Sequence, residues 1–268
     1  MVLLVAAIPA ATTFPGHQPI TLPPDTYTLT LAGEHEDDAA TGDLDITDDL
    51  IIESSTGIAT QTIISGNALD RVFDLPPGRG PNVTLHGLTI QGGLISGSTG
   101  GGLRNAQGIL TVENSVVTAN ETNGSGGGVS HLGGTLTLRN TQVTNNTSEG
   151  LGGGLQTQGG TVSIDGNTRF TGNTANFGGG LSTGGADVTL SNVQIEGNTA
   201  VGDGAGIYKF LSPGDLLGSI QAPRVALSNT TVRNNTLVGG DANDCAGYIV
   251  NVGNNTFGTT AGCTLLAP

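Results

Sequence analysis

Aliphatic and hydroxyl-bearing residues alternate in a short phrase that the chain repeats: Leu110-Thr111-Val112, Leu136-Thr137-Leu138, Val162-Ser163-Ile164 and Val188-Thr189-Leu190. Alternation with a period of two is the pattern of a half-buried strand. Ahead of these phrases runs Gly100-Gly101-Gly102-Leu103, which returns as Gly126-Gly127-Gly128-Val129, Gly152-Gly153-Gly154-Leu155, Gly178-Gly179-Gly180-Leu181 and Gly204-Ala205-Gly206-Ile207, every 26 residues. A further short strand follows each phrase and ends in asparagine, over Val117 to Asn120, Val143 to Asn146, Phe170 to Asn173 and Ile195 to Asn198. With the strand led by Leu103 and its counterparts, that makes three short strands per repeat. A fixed period of this length marks a solenoid, whose repeats bury their apolar sides only against one another.

If one repeat is one coil, equivalent residues stack at the strand spacing of about 4.8 Å. The columns Leu110/Leu136/Val162/Val188, Val112/Leu138/Ile164/Leu190 and Val117/Val143/Phe170/Ile195 then fill a narrow aliphatic interior. The asparagines fall in columns too, where they suit sharp corners and can bond along the stack. The expected fold is all-β, a right-handed parallel β-helix of about 26 residues per coil, capped at both ends. A leucine-rich repeat would need a helical return and a leucine framework, and collagen a glycine at every third position; both are missing.

The organisation expected along the chain is an N-terminal cap over residues 1–19, irregular first coils over 20–99, regular coils over 100–240 and a C-terminal cap over 241–268. The first coils contain the most charged stretch, an acidic loop at 34–49 with eight acidic residues. Val225 follows Val188 by 37 residues instead of 26, which predicts an 11-residue insertion within 208–224. Insertions in solenoids become loops on one face, and such loops often bind. This one carries Tyr208, Lys209, Phe210 and Arg224 as its candidate contact residues; merely shielding the sheet is the plainer reading.

Composition narrows the partners. Net charge is −14, from 22 acidic and 8 basic residues. Nucleic acid and anionic membranes, which need basic surfaces, are therefore not expected partners. No stretch is long enough to span a bilayer, so direct membrane insertion is not expected either. Met1 to Ala11 is apolar but lacks a basic start, so an export signal is not read here. Forty-six glycines and the absence of tryptophan suit a slender stacked core, expected as a monomer. The two cysteines, Cys245 and Cys263, stand 18 apart near the end of the chain. They read as a disulfide stapling the terminal loop in an oxidising compartment, two free thiols being the alternative.

Chemistry is sparse. A β-helix hydrolase needs carboxylates about 5 to 9.5 Å apart, and Glu113, Asp165, Asp187 and Glu196 fall in different columns. A lyase would set calcium-binding aspartates against a basic residue, but Arg104, Arg139 and Arg169 occupy different repeat positions. The acidic stretch reads as a solvated loop. Its alternative is a calcium site at Asp43, Asp45, Asp48 and Asp49, since calcium takes six to eight oxygen ligands; no other cofactor is expected. His17, His35, His86 and His131 lie far apart and read as surface or corner residues.

The Gly-Gly-Gly-[Leu/Val/Ile] and hydrophobic-x-x-Asn phrases resemble those of extracellular bacterial β-helix proteins and, more distantly, the chlamydial polymorphic outer-membrane proteins. Tyr27-Thr28-Leu29-Thr30, Gly42-Asp43-Leu44-Asp45-Ile46 and Arg71-Val72-Phe73 are similar to the N-terminal half of bacterial secreted proteins with a CSLREA signature. The signature itself would fall on Val2 to Ile8, where Leu4, Ala7 and Ile8 match it. The tail, from Asp244-Cys245-Ala246-Gly247 to Gly262-Cys263-Thr264-Leu265, is similar to the terminal cap of such proteins, whose anchor varies. The resemblance implies a secreted or cell-surface location and no settled biochemical role. The expected function is a non-catalytic, adhesin-like structural module that can bind glycans. A polysaccharide lyase or hydrolase acting beside the 208–224 insertion is the alternative.

Overall fold

The computed structural model describes residues 19–33, 41–210 and 224–268. Strands pair in parallel and stack into a β-solenoid whose three sheets contain 17, nine and six strands. The largest sheet takes two strands from each regular coil, such as Leu103–Asn105 and Ile109–Glu113. The nine-stranded sheet takes Val116–Thr118 and its counterparts. Among the described residues the one helical element is the 3₁₀ turn Ala59–Gln61. The expected N-terminal cap, save Pro19, and acidic residues 34–40 lie outside the described residues.

The predicted columns form the core. Leu110 pairs with Leu136, Leu136 with Val162 and Val162 with Val188, and all are buried. Val117, Val143, Phe170 and Ile195 line the next face in the same way. Corners fall on residues that accept left-handed backbone angles: Asn114, Asn140 and Asn192 have φ of 51°, 47° and 58°, and Gly166 takes the equivalent place at 69°.

Each regular coil also holds a fourth, two-residue strand, such as Glu121–Thr122 and Thr147–Ser148, that the three-strand expectation did not contain. It exists because the preceding strand stops early. Val116–Thr118 ends where Ala119 turns left-handed (φ 52°), which directs Asn120 into the interior. Asn120, Asn146, Asn173, Asn198 and Asn235 are all buried and form a continuous ladder. Each side-chain Nδ2 donates to Oδ1 of the next asparagine at 2.9–3.1 Å, and each backbone N–H donates to that same oxygen. Asp244 ends the series: its Oδ1 accepts from Asn235 N and Nδ2, and its Oδ2 accepts from Thr259 N.

The ladder explains the glycine runs. A Cβ on the third glycine of a run would sit 2.8–3.1 Å from the amide nitrogen of a ladder asparagine, as at Gly102, Gly128, Gly154, Gly180 and Gly206. The first glycine, from Gly100 to Gly204, holds φ between 59° and 77°. At the middle glycines Gly101, Gly127, Gly153 and Gly179 a Cβ would fall 2.3–2.5 Å from a backbone oxygen of the two-residue strand, and in the last run Ala205 holds this place.

Val225 pairs directly with Val188, as the 37-residue spacing predicts, and residues 211–223 of the insertion lie outside the described residues. Residues 241–268, expected as a cap over the last coil, themselves continue the solenoid. Cys245–Gly253 pairs first with Ile207–Lys209 and then with Val225–Ser228, and Thr256–Phe257 extends the nine-stranded sheet. Cys263–Leu266 then pairs with Gly247–Val250.

Candidate functional site

The outward positions of one sheet place charged residues of separate coils side by side. Leu44, Phe73 and Leu103 stack inward, so Asp45, Asp74 and Arg104 form the adjacent outward column. Arg71 reaches into this group: its Nε lies 3.2 Å from Asp43 Oδ2, its Nη1 donates to Asp74 Oδ2 at 3.1 Å and its Nη2 to Ser98 Oγ at 3.1 Å. Arg104 grips Asp74 with both Nε, at 2.7 Å, and Nη2. Asp70 stands beside Arg71 and accepts its backbone N–H. Asp43, Asp45, Asp70, Arg71 and Asp74 are between 1 % and 4 % exposed.

The solvated-loop reading of Asp43 and Asp45 is thereby corrected: alternation around Leu44 and Ile46 sets both carboxylates on one side of the chain, where both are covered and Arg71 lies against Asp43. Burial, and after it the charges of Asp45 and Asp70, raise the Asp43 carboxyl to about 9, with Arg71 acting in the opposite direction. Asp43, Asp45 and Asp74 each offer an oxygen within 4.8 Å of the others. The structure does not bring Asp48 and Asp49 into this group. Asp48 is exposed and caps Asp49 N, while Asp49 Oδ1 accepts from Asn82 N, so both build a corner. Asp74 and Arg71 were not singled out in the sequence. The signal that could have found them is the shared alternation of Asp43-Leu44-Asp45 and Val72-Phe73-Asp74, which puts Asp74 in the Asp45 column.

At the other end of the same outward column, after Ser130, Gln156 and Ser182, stands Tyr208. Its ring lies 5.1 Å from that of Phe177 and 6.2 Å from that of Phe210, centroid to centroid, with interplanar angles of 33° and 28°. Glycines make room for the flanking rings: a Cβ at Gly202 or at Gly184 would fall 2.2 Å from Phe177 or Phe210 respectively. Phe177 belongs to the preceding coil, so linear proximity to the insertion did not reveal it. Lys209 is corrected. It alternates inward, is buried, and its Nζ donates to the carbonyls of Gly184 and Phe210. Arg224 is exposed, and its backbone N–H donates to Asp187 Oδ1.

His131 also departs from expectation, being fully buried in the inward column Asn105, His131, Thr157, Thr183, Lys209. Asn105 Oδ1 accepts from Gly108 N, which fixes its amide so that Nδ2 faces His131 Nδ1 at 3.2 Å. The imidazole is therefore neutral with its proton on Nε2, and burial lowers its pKa to about 4.

Cys245 and Cys263 form a disulfide, with Cα atoms 5.4 Å apart. Such a bond is consistent with an extracellular location. No helix among the described residues is long and apolar enough to cross a membrane. The bond closes a loop of 18 residues, and the constraint it places on the unfolded chain is set by that length. Cys263→Ser is expected to cost about 3 kcal/mol. The loss should appear first as faster amide exchange in 245–266, and uniform exchange along the whole stack would refute it.

The class defined by these observations is the parallel β-solenoid with a buried asparagine ladder. Compared with models of protein families, with curated proteins and with solved structures, the chain matches none.

Proposed function

We propose that this chain is a non-catalytic, secreted or cell-surface β-helix that acts as a rigid adhesin-like module and contacts glycans through Phe177, Tyr208 and Phe210. The observation that carries this reading is the aromatic shelf. A protein with only three tyrosines and six phenylalanines brings three of these nine rings together, Tyr208 standing between Phe177 and Phe210. Aromatic faces pack against the C–H faces of pyranose rings, and they do so at little entropic cost because few side-chain torsions are frozen. The locked interior supports the same reading, since a stiff stack holds such a shelf at a fixed place, and the disulfide suits an oxidising exterior.

The test is retention of the full chain on immobilised neutral and acidic polysaccharides, with the eluate analysed for chain length. The expected result is saturable binding to a polysaccharide that is weakened at least about tenfold by Tyr208→Ala, the loss that follows removal of a central contact ring. Release of shortened or unsaturated saccharides would overturn the non-catalytic reading. Binding unaffected by Tyr208→Ala and Phe177→Ala together would overturn the placement of the contact.

A further inference from the structure

The interior column Asn105, His131, Thr157, Thr183, Lys209 carries an inference that does not depend on glycan binding. Protein groups serve its two ends. Asn105 accepts from Gly108 N and donates to the carbonyls of Gly108 and Thr135, and Lys209 Nζ donates to those of Gly184 and Phe210. The three members between them are not served in this way. His131 Nε2, Thr157 Oγ1 and Thr183 Oγ1 have no hydrogen-bond partner, and all three residues are 0 % exposed. Buried polar atoms left unpaired are rare and unfavourable, and here they recur at one backbone place in three consecutive coils. Equivalent atoms of paired strands stand about 4.8 Å apart, beyond the reach of a direct bond. Two bonds of about 2.8 Å that meet at a near-tetrahedral angle span close to that distance. A threonine also takes up less of the corner than the imidazole that fills the same place one coil earlier.

We propose that ordered water molecules occupy this corner, one bridging His131 Nε2 to Thr157 Oγ1 and one bridging Thr157 Oγ1 to Thr183 Oγ1. Buried water characteristically sits where it completes the bonds of otherwise unsatisfied groups. The chemistry selects it. Because Asn105 Nδ2 faces His131 Nδ1, the imidazole presents an N–H at Nε2, which disfavours a cation. Each hydroxyl both donates and accepts, so the ligand between two of them must do the same. The run then has one direction: Nε2–H donates to the first water, which donates to Thr157 Oγ1, whose hydroxyl donates to the second water, which donates to Thr183 Oγ1. The two waters would tie three coils together at one corner, as the asparagine ladder does at another.

The experiment uses the full chain in solution. Oxygen-17 relaxation dispersion counts long-lived waters, and water-to-methyl Overhauser transfer places them at the Thr157 and Thr183 methyls. The expected result is transfer to both methyls in the wild-type protein. In Thr157→Val the count should fall by at least one and the Tm should drop, because the isosteric methyl cannot bond to either water. Thr157→Ser keeps the hydroxyl and should keep the wild-type count. Three results would each overturn the site. They are no transfer to either methyl in the wild-type protein, an unchanged count in Thr157→Val, and a higher Tm in Thr157→Val, which is the response of a hydroxyl buried with no partner at all.

Discussion

Asn173→Ala is expected to destabilise the protein by about 4 kcal/mol, the largest effect of any single truncation considered for the described interior. Asn173 Oδ1 accepts from both the backbone N–H and Nδ2 of Asn146, while its own Nδ2 donates to Asn198 Oδ1 and Val143 O. Truncation leaves at least two buried donors of Asn146 without an acceptor, at about 1–3 kcal/mol each, and breaks a chain whose bonds polarise one another. Asn173→Asp restores the acceptor but turns a carboxylate towards Asn198 Oδ1, so it should rescue little. The control is Asn140→Gly. Asn140 is an exposed corner residue whose place in the next coil is already filled by Gly166, so the change should stay within about 0.5 kcal/mol. Urea unfolding of the three variants decides the matter. A loss below about 1.5 kcal/mol in Asn173→Ala would mean that the ladder is ornamental.

The second large effect is acid sensitivity from His131. Its folded pKa is about 4 against an ordinary 6.5, with burial as the cause. Between those values the unfolded chain takes up a proton that the folded one refuses. Stability is therefore fully present above about pH 6.5 and drains as pH falls towards 4. At about 1.36 kcal/mol per pKa unit, the total is about 3 kcal/mol. His131→Thr, which copies Thr157 in the same column, removes the titrating group. Other carboxylates also titrate in this range, so the diagnostic quantity is the difference between the two proteins. That difference should change by about 3 kcal/mol, in favour of the variant, between pH 7 and pH 4. Parallel stability curves would show that His131 titrates normally.

The coil, its period and its aliphatic columns were legible in the sequence because alternation and stacking are both set by local rules, repeated at 26-residue intervals. Val188 and Val225 even reveal the length of the interruption between them. The asparagines were legible as a column, though not which of the two columns turns inward. That depends on where the backbone takes its left-handed step, and Ala119 and Asn114 make such steps with different residues. The buried charged group of the first coils was half legible. Asp43 and Asp45 stand in one short stretch, while Asp74 joins them only through the pairing of Leu44 with Phe73. Lys209 and His131 were misplaced outward because polar side chains in a repeat are ordinarily solvated. Here the corner between two strands of the large sheet admits a buried polar column beside the aliphatic ones.

The ladder also says something about how such a chain can change its length. Every asparagine in it presents acceptor and donor in one sense, so the lower face of each coil is complementary to the upper face of any other. A whole coil copied or excised in register leaves each amide with the partner it had before, whereas a frame change of one residue removes Asn from the interior column. Asp244 differs in kind: a carboxylate accepts but has nothing to hand on. The interior thus carries its own full stop, and duplication is harmless anywhere before it.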